Sequence, residues 1–430
     1  MNLIRFMTRA ARRRVLDAVL RIALASSVAF ATHAADGPLT LDAAIDLALR
    51  DAPQVTASQA SLESSQASLM SAGRLPDPEL VVGVDNLPIN GADQFSLTRD
   101  FMTMRKVGLM QSVPAGAKRR YRAELASREA DVAQAELRAT RFETAGAAAE
   151  AWISSAAAEE TLKRFRGLKS DLSSQSSAAR AALSSGRSAA ADALSSEAAL
   201  ARLDSQILEL EQQRAMYRAE LTRWVGDAAT RDLGDLPWRR ELPVAPDLLV
   251  QEVASHPPLA PIAAKVEAAK TEVDLARAEK RSDWSAELSF AKRGPDYSDM
   301  VSLEFRVGLP LFAKNRQNPA IAAKLASVRV SEAEQEAALR LHRAEIESMV
   351  AVWRAGRKRL EHFESTLLPL GRDRSRAVLS AYGTGRGDLR AALDALRDEV
   401  DLQREYVALE GDVTRAWVFL HLLHAKGATP

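Results

Sequence analysis

Apolar positions along this chain change their spacing in a set order, and the order occurs twice. Between residues 40 and 73, Leu41, Ala44, Ile45, Ala48 and Leu49 recur every three or four positions, which predicts a helix with Thr40 as its N-cap. Pro53 divides this stretch, and a second helix runs on to Gly73. The spacing then shortens to two. Leu80, Val82 and Val84 alternate with Val81, Gly83 and Asp85, and Val107, Leu109 and Val113 alternate with Lys106, Gly108 and Ser112. Gln111 is the one polar residue in the second apolar row. In the second half, Trp284, Ala286, Leu288 and Phe290 form one alternating row. Val301, Leu303, Phe305, Val307 and Leu309 form another, on the far side of a turn at Gly294-Pro295-Asp296. Each half is therefore expected to hold one β-hairpin with an apolar face and a polar or small-residue face.

Each hairpin runs into a long helical stretch. Residues 117–184 contain no proline, and at about 1.5 Å per residue they predict a rod of roughly 100 Å. Residues 188–226 return along it. The second half repeats this over 320–381, interrupted near Pro369, and returns over 388–425. Rods of this length pack side by side as coiled coils, with their turns, at 184–187 and 382–386, as the far tips of two helical hairpins.

The duplication also shows in short phrases. Val113-Pro114-Ala115-Gly116-Ala117-Lys118-Arg119-Arg120 and Leu309-Pro310-Leu311-Phe312-Ala313-Lys314-Asn315-Arg316 both read apolar-Pro-x-x-Ala-Lys-x-Arg, 196 residues apart (310 − 114). Pro114 and Pro310 are expected at strand-to-helix junctions, where proline's fixed φ and missing donor are tolerated. Gly186-Arg187 with Leu194 answers Gly385-Arg386 with Leu393, and Ala52-Pro53 answers His256-Pro257. The expected organisation is a signal segment over 1–34, a first repeat over 35–226, a connector over 227–245 and a second repeat over 246–430.

Composition narrows the function. Charge is balanced at 58 basic and 57 acidic residues, so net charge points to no nucleic acid. Aromatic residues make up only 5 %, which suits closely packed helices better than a thick enzyme core. The absence of cysteine removes disulfides, thiolate chemistry and lipidation at an N-terminal cysteine. An arginine-rich start, an apolar run over 22–31 and Thr32-His33-Ala34 predict a cleaved export signal. No later stretch has 18 consecutive apolar residues, so an exported chain is either soluble or held in a membrane by β-strands.

Charged Glu304 and Arg306 opposite a continuous apolar row fit a barrel wall with lipid outside and water inside, and they also fit a sheet with one solvated face. The export signal and the lack of other strands favour the barrel. Four strands cannot close one, since the smallest membrane barrels have about eight, so several chains must share it. Three copies give twelve strands.

Duplicated helix, hairpin and long-helix units behind an export signal resemble the TolC-like outer-membrane factors, over residues 39–423. The specific pieces are the strand-to-helix Pro phrase and the tip sequence Tyr382-x-x-Gly385-x-x-x-x-x-x-x-Leu393-Asp394-Ala395. Pro76-Asp77-Pro78, Asn86-Leu87-Pro88 and Phe101-Met102-Thr103-Met104 ahead of Val107-Gly108-Leu109-Met110-Gln111 resemble the CzcC/CusC-type heavy-metal subgroup. The resemblance implies a mainly α fold, a homotrimer with a twelve-stranded barrel in outer-membrane lipid, and a helical tunnel through the periplasm. The implied partners are a periplasmic adaptor and an inner-membrane RND pump, with no cofactor and no enzyme activity. The cargo expected is heavy-metal cations; general drug efflux, type I secretion, or a periplasmic coiled-coil scaffold that is not a channel are the alternatives.

In that family the tunnel narrows at its periplasmic end, where tip residues and an aspartate ring form a gate. Tyr382 matches the tip tyrosine and Asp394 the second gate aspartate. The first falls on Ala391, a departure, and Asp192 stands at the equivalent place in the other repeat (192 + 199 = 391). The tip arginine is displaced by one position, to Arg386, and Gly385, Gly186 and Arg187 complete the expected tips. His421-x-x-His424 and the methionines Met102, Met104 and Met110 are weaker candidates for metal contact. No phosphate loop, metalloprotease motif or nucleophile elbow occurs.

Overall fold

The computed structural model describes residues 37–184, 190–384 and 386–424. The expected signal segment, the tip residues Gly186, Arg187 and Gly385, and the last residues lie outside the described residues. Two short helices open the chain, α1 (Leu41–Asp51) and α2 (Pro53–Ser71). The Thr40 hydroxyl accepts from the Ala43 N–H at 3.3 Å, so the expected N-cap is in place, and Pro53 occupies the first turn of α2. Strands β1 (Glu79–Asp85) and β2 (Met104–Val113) follow, then the rod α3 (Gly116–Ser184) and its return α4 (Ala190–Val225). The second half contains α5 (Pro246–Gln251), α6 (Ala260–Ala278), β3 (Trp284–Lys292) and β4 (Met300–Val307). It ends with α7 (Gln317–His362), α8 (Leu368–Gly383) and α9 (Leu389–His424).

Helix α3 runs 69 residues without a break. Its counterpart in the second half differs. Between α7 and α8, Phe363–Leu367 form a π-helical turn, and Pro369 sits in the first turn of α8. A proline removes one backbone donor and crowds the preceding turn, and a wider turn accommodates it without ending the helix. The expected interruption is thus a joint within a continuing rod.

The main core lies where the rods of both halves meet. Trp152 of α3, Ile346 and Leu360 of α7, and Val407 and Leu420 of α9 are fully or almost fully buried there. Gly356 of α7 faces Val413 and Leu409 of α9 so closely that an added Cβ would collide with the Val413 side chain. The connector is built into this core. The Trp152 indole donates to the Leu39 carbonyl at 2.8 Å, Leu39 bridges to Leu233, and Trp238 is buried. A second, smaller cluster of Leu162, Phe165, Leu172, Leu203, Ile207 and Leu396 holds the two helical hairpins together nearer their tips.

Between the two clusters lies a polar joint. The Tyr406 hydroxyl donates to Glu364 Oε1 at 2.7 Å, Arg239 pairs with the same carboxylate, and the Arg164 guanidinium lies 5.4 Å from the Tyr406 ring centre. Glu410 lines an open cleft of about 640 Å³ beside Glu160 and Arg164. Burial pushes the Glu410 carboxyl up to about 7; the Tyr406 hydroxyl and Arg164 oppose this, while Glu160 and Glu364 add to it. The folded chain therefore holds this proton more tightly than the unfolded chain, and stability falls as pH rises from about 4.5 through about 7. Glu410→Gln should remove that loss, making the variant more stable than the parent by about 1–2 kcal/mol at the upper end once partial exposure is discounted. Melting curves of the two proteins across this window provide the check; curves that shift in parallel with pH would refute the assignment.

Candidate functional site: the sheet wall and the hairpin tips

The four strands form one antiparallel sheet in the order β1-β2-β3-β4, so the second strand of the first hairpin pairs with the first strand of the second. Register aligns the apolar rows across all four. Leu80, Leu109, Leu288 and Leu303 lie side by side, as do Val82, Val107, Phe290 and Val301. These side chains face outward with none of the described residues over them: Leu80, Val82 and Val301 are each 71 % exposed and Phe305 63 %. A soluble protein rarely leaves a continuous apolar face of this extent open to water.

The opposite face carries the charge. Glu287 is almost fully buried there, with Lys106 Nζ at 3.1 Å and an Arg306 nitrogen at 3.0 Å, and Arg306 also pairs with Glu304 at 2.7 Å. Gly108 lets the neighbouring strands close up, since a Cβ would come within 2.7 Å of the Ser289 Cβ. The sheet is thus inverted relative to a soluble sandwich, apolar outside and charged inside. That is the distribution a membrane barrel requires.

At the end of the sheet the first copy of the repeated phrase acts as a clasp. Pro114 lies between Val113, the last residue of β2, and Gly116, the first of α3. Just beyond it the Ala115 N–H donates to Asp283 Oδ1 at 2.8 Å. Lys118, buried in the first turn of α3, reaches Asp283 at 2.9 Å and Glu279 at 3.1 Å. Burial alone would lower the Lys118 pKa, but the hydrogen bonds to Asp283 and Glu279 outweigh it and hold the ammonium above its ordinary value. The second copy differs from expectation. Strand β4 ends at Val307, two residues before Leu309, and α7 begins only at Gln317, so Pro310 lies in a loop and is not a direct junction. The clasp residues Asp283 and Glu279 were not singled out from the sequence. The signal available was an aspartate just ahead of a strand in each half, Asp77 and Asp283.

At the tips, Tyr382 is half-buried in the last turn of α8, and the Arg386 N–H donates to the Ala381 carbonyl at 2.9 Å. Asp388 caps α9 by accepting from the Ala391 N–H at 3.3 Å. Asp394 is exposed, on the side of α9 opposite buried Ala392, Ala395 and Leu396, and has no ion-pair partner among the described residues. One turn on, Asp398 is neutralised by Arg374 at 2.5 Å. Asp192 lies in the first turn of α4, at the head of the other return helix. Helices α4 and α9 meet through Leu203, Ile207 and Leu396, further from the tips.

The weaker metal candidates separate. His421 stacks on Trp417 at 4.6 Å and its burial lowers its pKa. Met102 is exposed, and Met110 touches Arg306 on the charged face. Among the described residues no group of three or more His, Asp or Glu is placed to hold a metal, and no helix is long and apolar enough to cross a membrane.

No protein-family model matches the chain. Among curated proteins, it is 24 % identical over 390 residues to the cobalt-zinc-cadmium resistance protein CzcC of Cupriavidus metallidurans, covering 89 % of each chain. Among solved structures, the outer-membrane protein VceC of Vibrio cholerae superposes with a TM-score of 0.75 at 18 % identity, over 89 % of this chain and 95 % of that one. CusC, whose structures concern transmembrane channel formation, gives 0.73 at 14 % identity over 91 % and 95 %. The outer-membrane channel OprN superposes likewise, with a TM-score of 0.74 at 15 % identity over 90 % of each chain. The chain has the fold of the TolC-like outer-membrane channels, the family its sequence resembles.

Proposed function

We propose that three copies of this chain form a passive channel across the outer membrane and periplasm, the exit duct of a tripartite efflux system. The observation that carries this reading is the inverted sheet: its outward face is a continuous row of exposed Leu, Val and Phe, and its inward face holds Lys106, Glu287, Glu304 and Arg306. A periplasmic scaffold without a channel has no use for such a face. An inner-membrane RND pump supplies the energy, and a periplasmic adaptor joins it to the helical hairpins. Nothing in the duct performs chemistry. Heavy-metal cations are the cargo this reading favours, supported by the likeness to a protein named for cobalt, zinc and cadmium resistance.

The exposed, unpaired carboxylate of Asp394 beside the tip supports a periplasmic gate at this end, with Tyr382 and Arg386 in the adjoining turn and Asp192 as a second acidic contributor. Gly385, Gly186 and Arg187 complete that proposal on the sequence pattern alone. Threefold repetition of Asp394 places a ring of like charge at one level of the tunnel, which attracts multivalent cations.

Three measurements test the reading. A deletion strain and its complemented parent, grown against cobalt, zinc, cadmium, nickel, copper and silver and against dyes, detergents and hydrophobic antibiotics, should differ on metals alone. Differences on the organic panel would reassign the cargo. Phe305→Arg should lower outer-membrane abundance, because a charge at mid-bilayer costs about 2–4 kcal/mol; undiminished insertion would refute the lipid-facing assignment. In a planar bilayer, Asp394→Ala should weaken block by multivalent cations applied from the periplasmic side, and unchanged block would remove Asp394 from the gate.

A further inference from the structure

Among the described residues the sheet has two unpaired edges, β1 on one side and β4 on the other. What should bond to them is written inside the chain itself, because the β2–β3 seam joins the end of the first repeat's hairpin to the start of the second's. Between copies the corresponding seam runs from β4 to the β1 of the next copy. The internal seam is fastened by the clasp of Ala115, Lys118, Glu279 and Asp283. Lys314 is the second copy of Lys118, 196 residues on (118 + 196 = 314). It is exposed and has no partner among the described residues.

The register identifies what Lys314 lacks. Leu80 pairs with Leu109, and Ala286 pairs with Phe305. Because Leu109 corresponds to Phe305 (109 + 196 = 305), Leu80 corresponds to Ala286, an offset of 206. The counterpart of Asp283 is then Asp77 (283 − 206 = 77), which is exposed and likewise without a partner among the described residues. The same offsets carry the internal pairing Leu109–Leu288 to Phe305 and Val82 (288 − 206 = 82). In this register Phe305 and Val82 both stay on the apolar face, whereas a one-residue slip would turn the apolar row of β1 inward.

In a barrel of three copies β4 necessarily lies beside the adjacent copy's β1; we infer that the two pair with Phe305 opposite Val82, and that Lys314 locks this seam by binding the adjacent copy's Asp77. This inference rests on the trimeric-channel reading and adds the residues and register of its seam. The state of the second phrase agrees with it. The Leu311 N–H, counterpart of the Ala115 N–H that bonds Asp283, bonds instead to the Leu309 carbonyl at 2.9 Å, and residues 312–316 form turns where the first copy is already helical. Both differences fall where the carboxylate is missing. The seam between copies is also the weaker of the two, since Gly73 stands where the internal clasp has Glu279 (279 − 206 = 73).

The chain has no cysteine, so a disulfide across the seam can be introduced without removing any native thiol. Facing residues of an antiparallel pair have Cα atoms about 4.5–5.5 Å apart, within disulfide reach, while diagonal neighbours fall at about 7–8 Å. In outer membranes treated with a mild oxidant, V82C/F305C should give a reductant-sensitive covalent trimer, and V84C/F305C should give about a tenth of that yield. Separately, D77K or K314D alone should reduce the trimer recovered in detergent by about fivefold, and the D77K/K314D exchange should restore it. Efficient linkage through V84C/F305C with none through V82C/F305C would overturn the register while leaving a trimer in place. Failure of the exchange to restore assembly, with the unaltered chain trimeric, would overturn the clasp. An unaltered chain that is monomeric in the membrane would overturn the channel reading itself, and this inference with it.

Discussion

A β-sheet can turn its apolar face outward only if something other than water lies against it, and this constraint organises the rest of the molecule. Leu80, Leu109, Leu288 and Leu303 form a row that none of the described residues covers, while Glu287 is buried between Lys106 and Arg306 on the other side. In hydrocarbon, backbone donors and acceptors at a sheet edge have no solvent to bond, so an open four-stranded sheet cannot remain open there. The fold meets half of this demand internally, by joining two hairpins through the β2–β3 seam. On the trimeric reading proposed above, copies of the chain meet the other half.

The helices answer a different demand. The rods carry few large side chains, and their packing depends on small residues and on a few wide contacts: Trp152 hydrogen-bonded to Leu39, Gly356 against Val413, the leucine cluster around Phe165. Close approach of helix axes requires such residues at the crossings. The connector between the repeats is fastened into the same core through Leu233 and Trp238, so the two halves do not behave as separate bodies on a tether.

Much of this was legible in the sequence, because each element repeats a short physical rule. Alternation over Trp284 to Phe290 and over Val301 to Val307 gave the strands, and proline-free Ala-rich runs gave the rods. The pairing of β2 with β3 was not legible, since alternation marks a face but does not choose a neighbour across 171 residues of chain (284 − 113). The unlike fates of the two proline phrases were also hidden. Pro114 and Pro310 sit in nearly the same words, but Asp283 pairs with Lys118 of the first, and no carboxylate among the described residues pairs with Lys314 of the second. At the tips, Asp394 was found by pattern and lies exposed, but what it would face in the proposed trimer depends on copies that a single chain does not contain.

The π turn at Phe363–Leu367 gives the duplicated architecture unequal mechanics. Two arms with a common origin have become a girder and a jointed lever: α3 is continuous from the sheet to the tip, while the matching arm is α7 and α8 with a hinge between them. The lever beyond the hinge is α8, 16 residues long, or about 24 Å. A rotation of about 10° there would carry its tip roughly 4 Å sideways, and Phe363 and Leu368, buried in the main core on either side of the turn, set its cost. Of the two prolines that set this arm apart from α3, Pro319 sits harmlessly in the first turn of α7, and Pro369 alone falls mid-arm, at the wider turn.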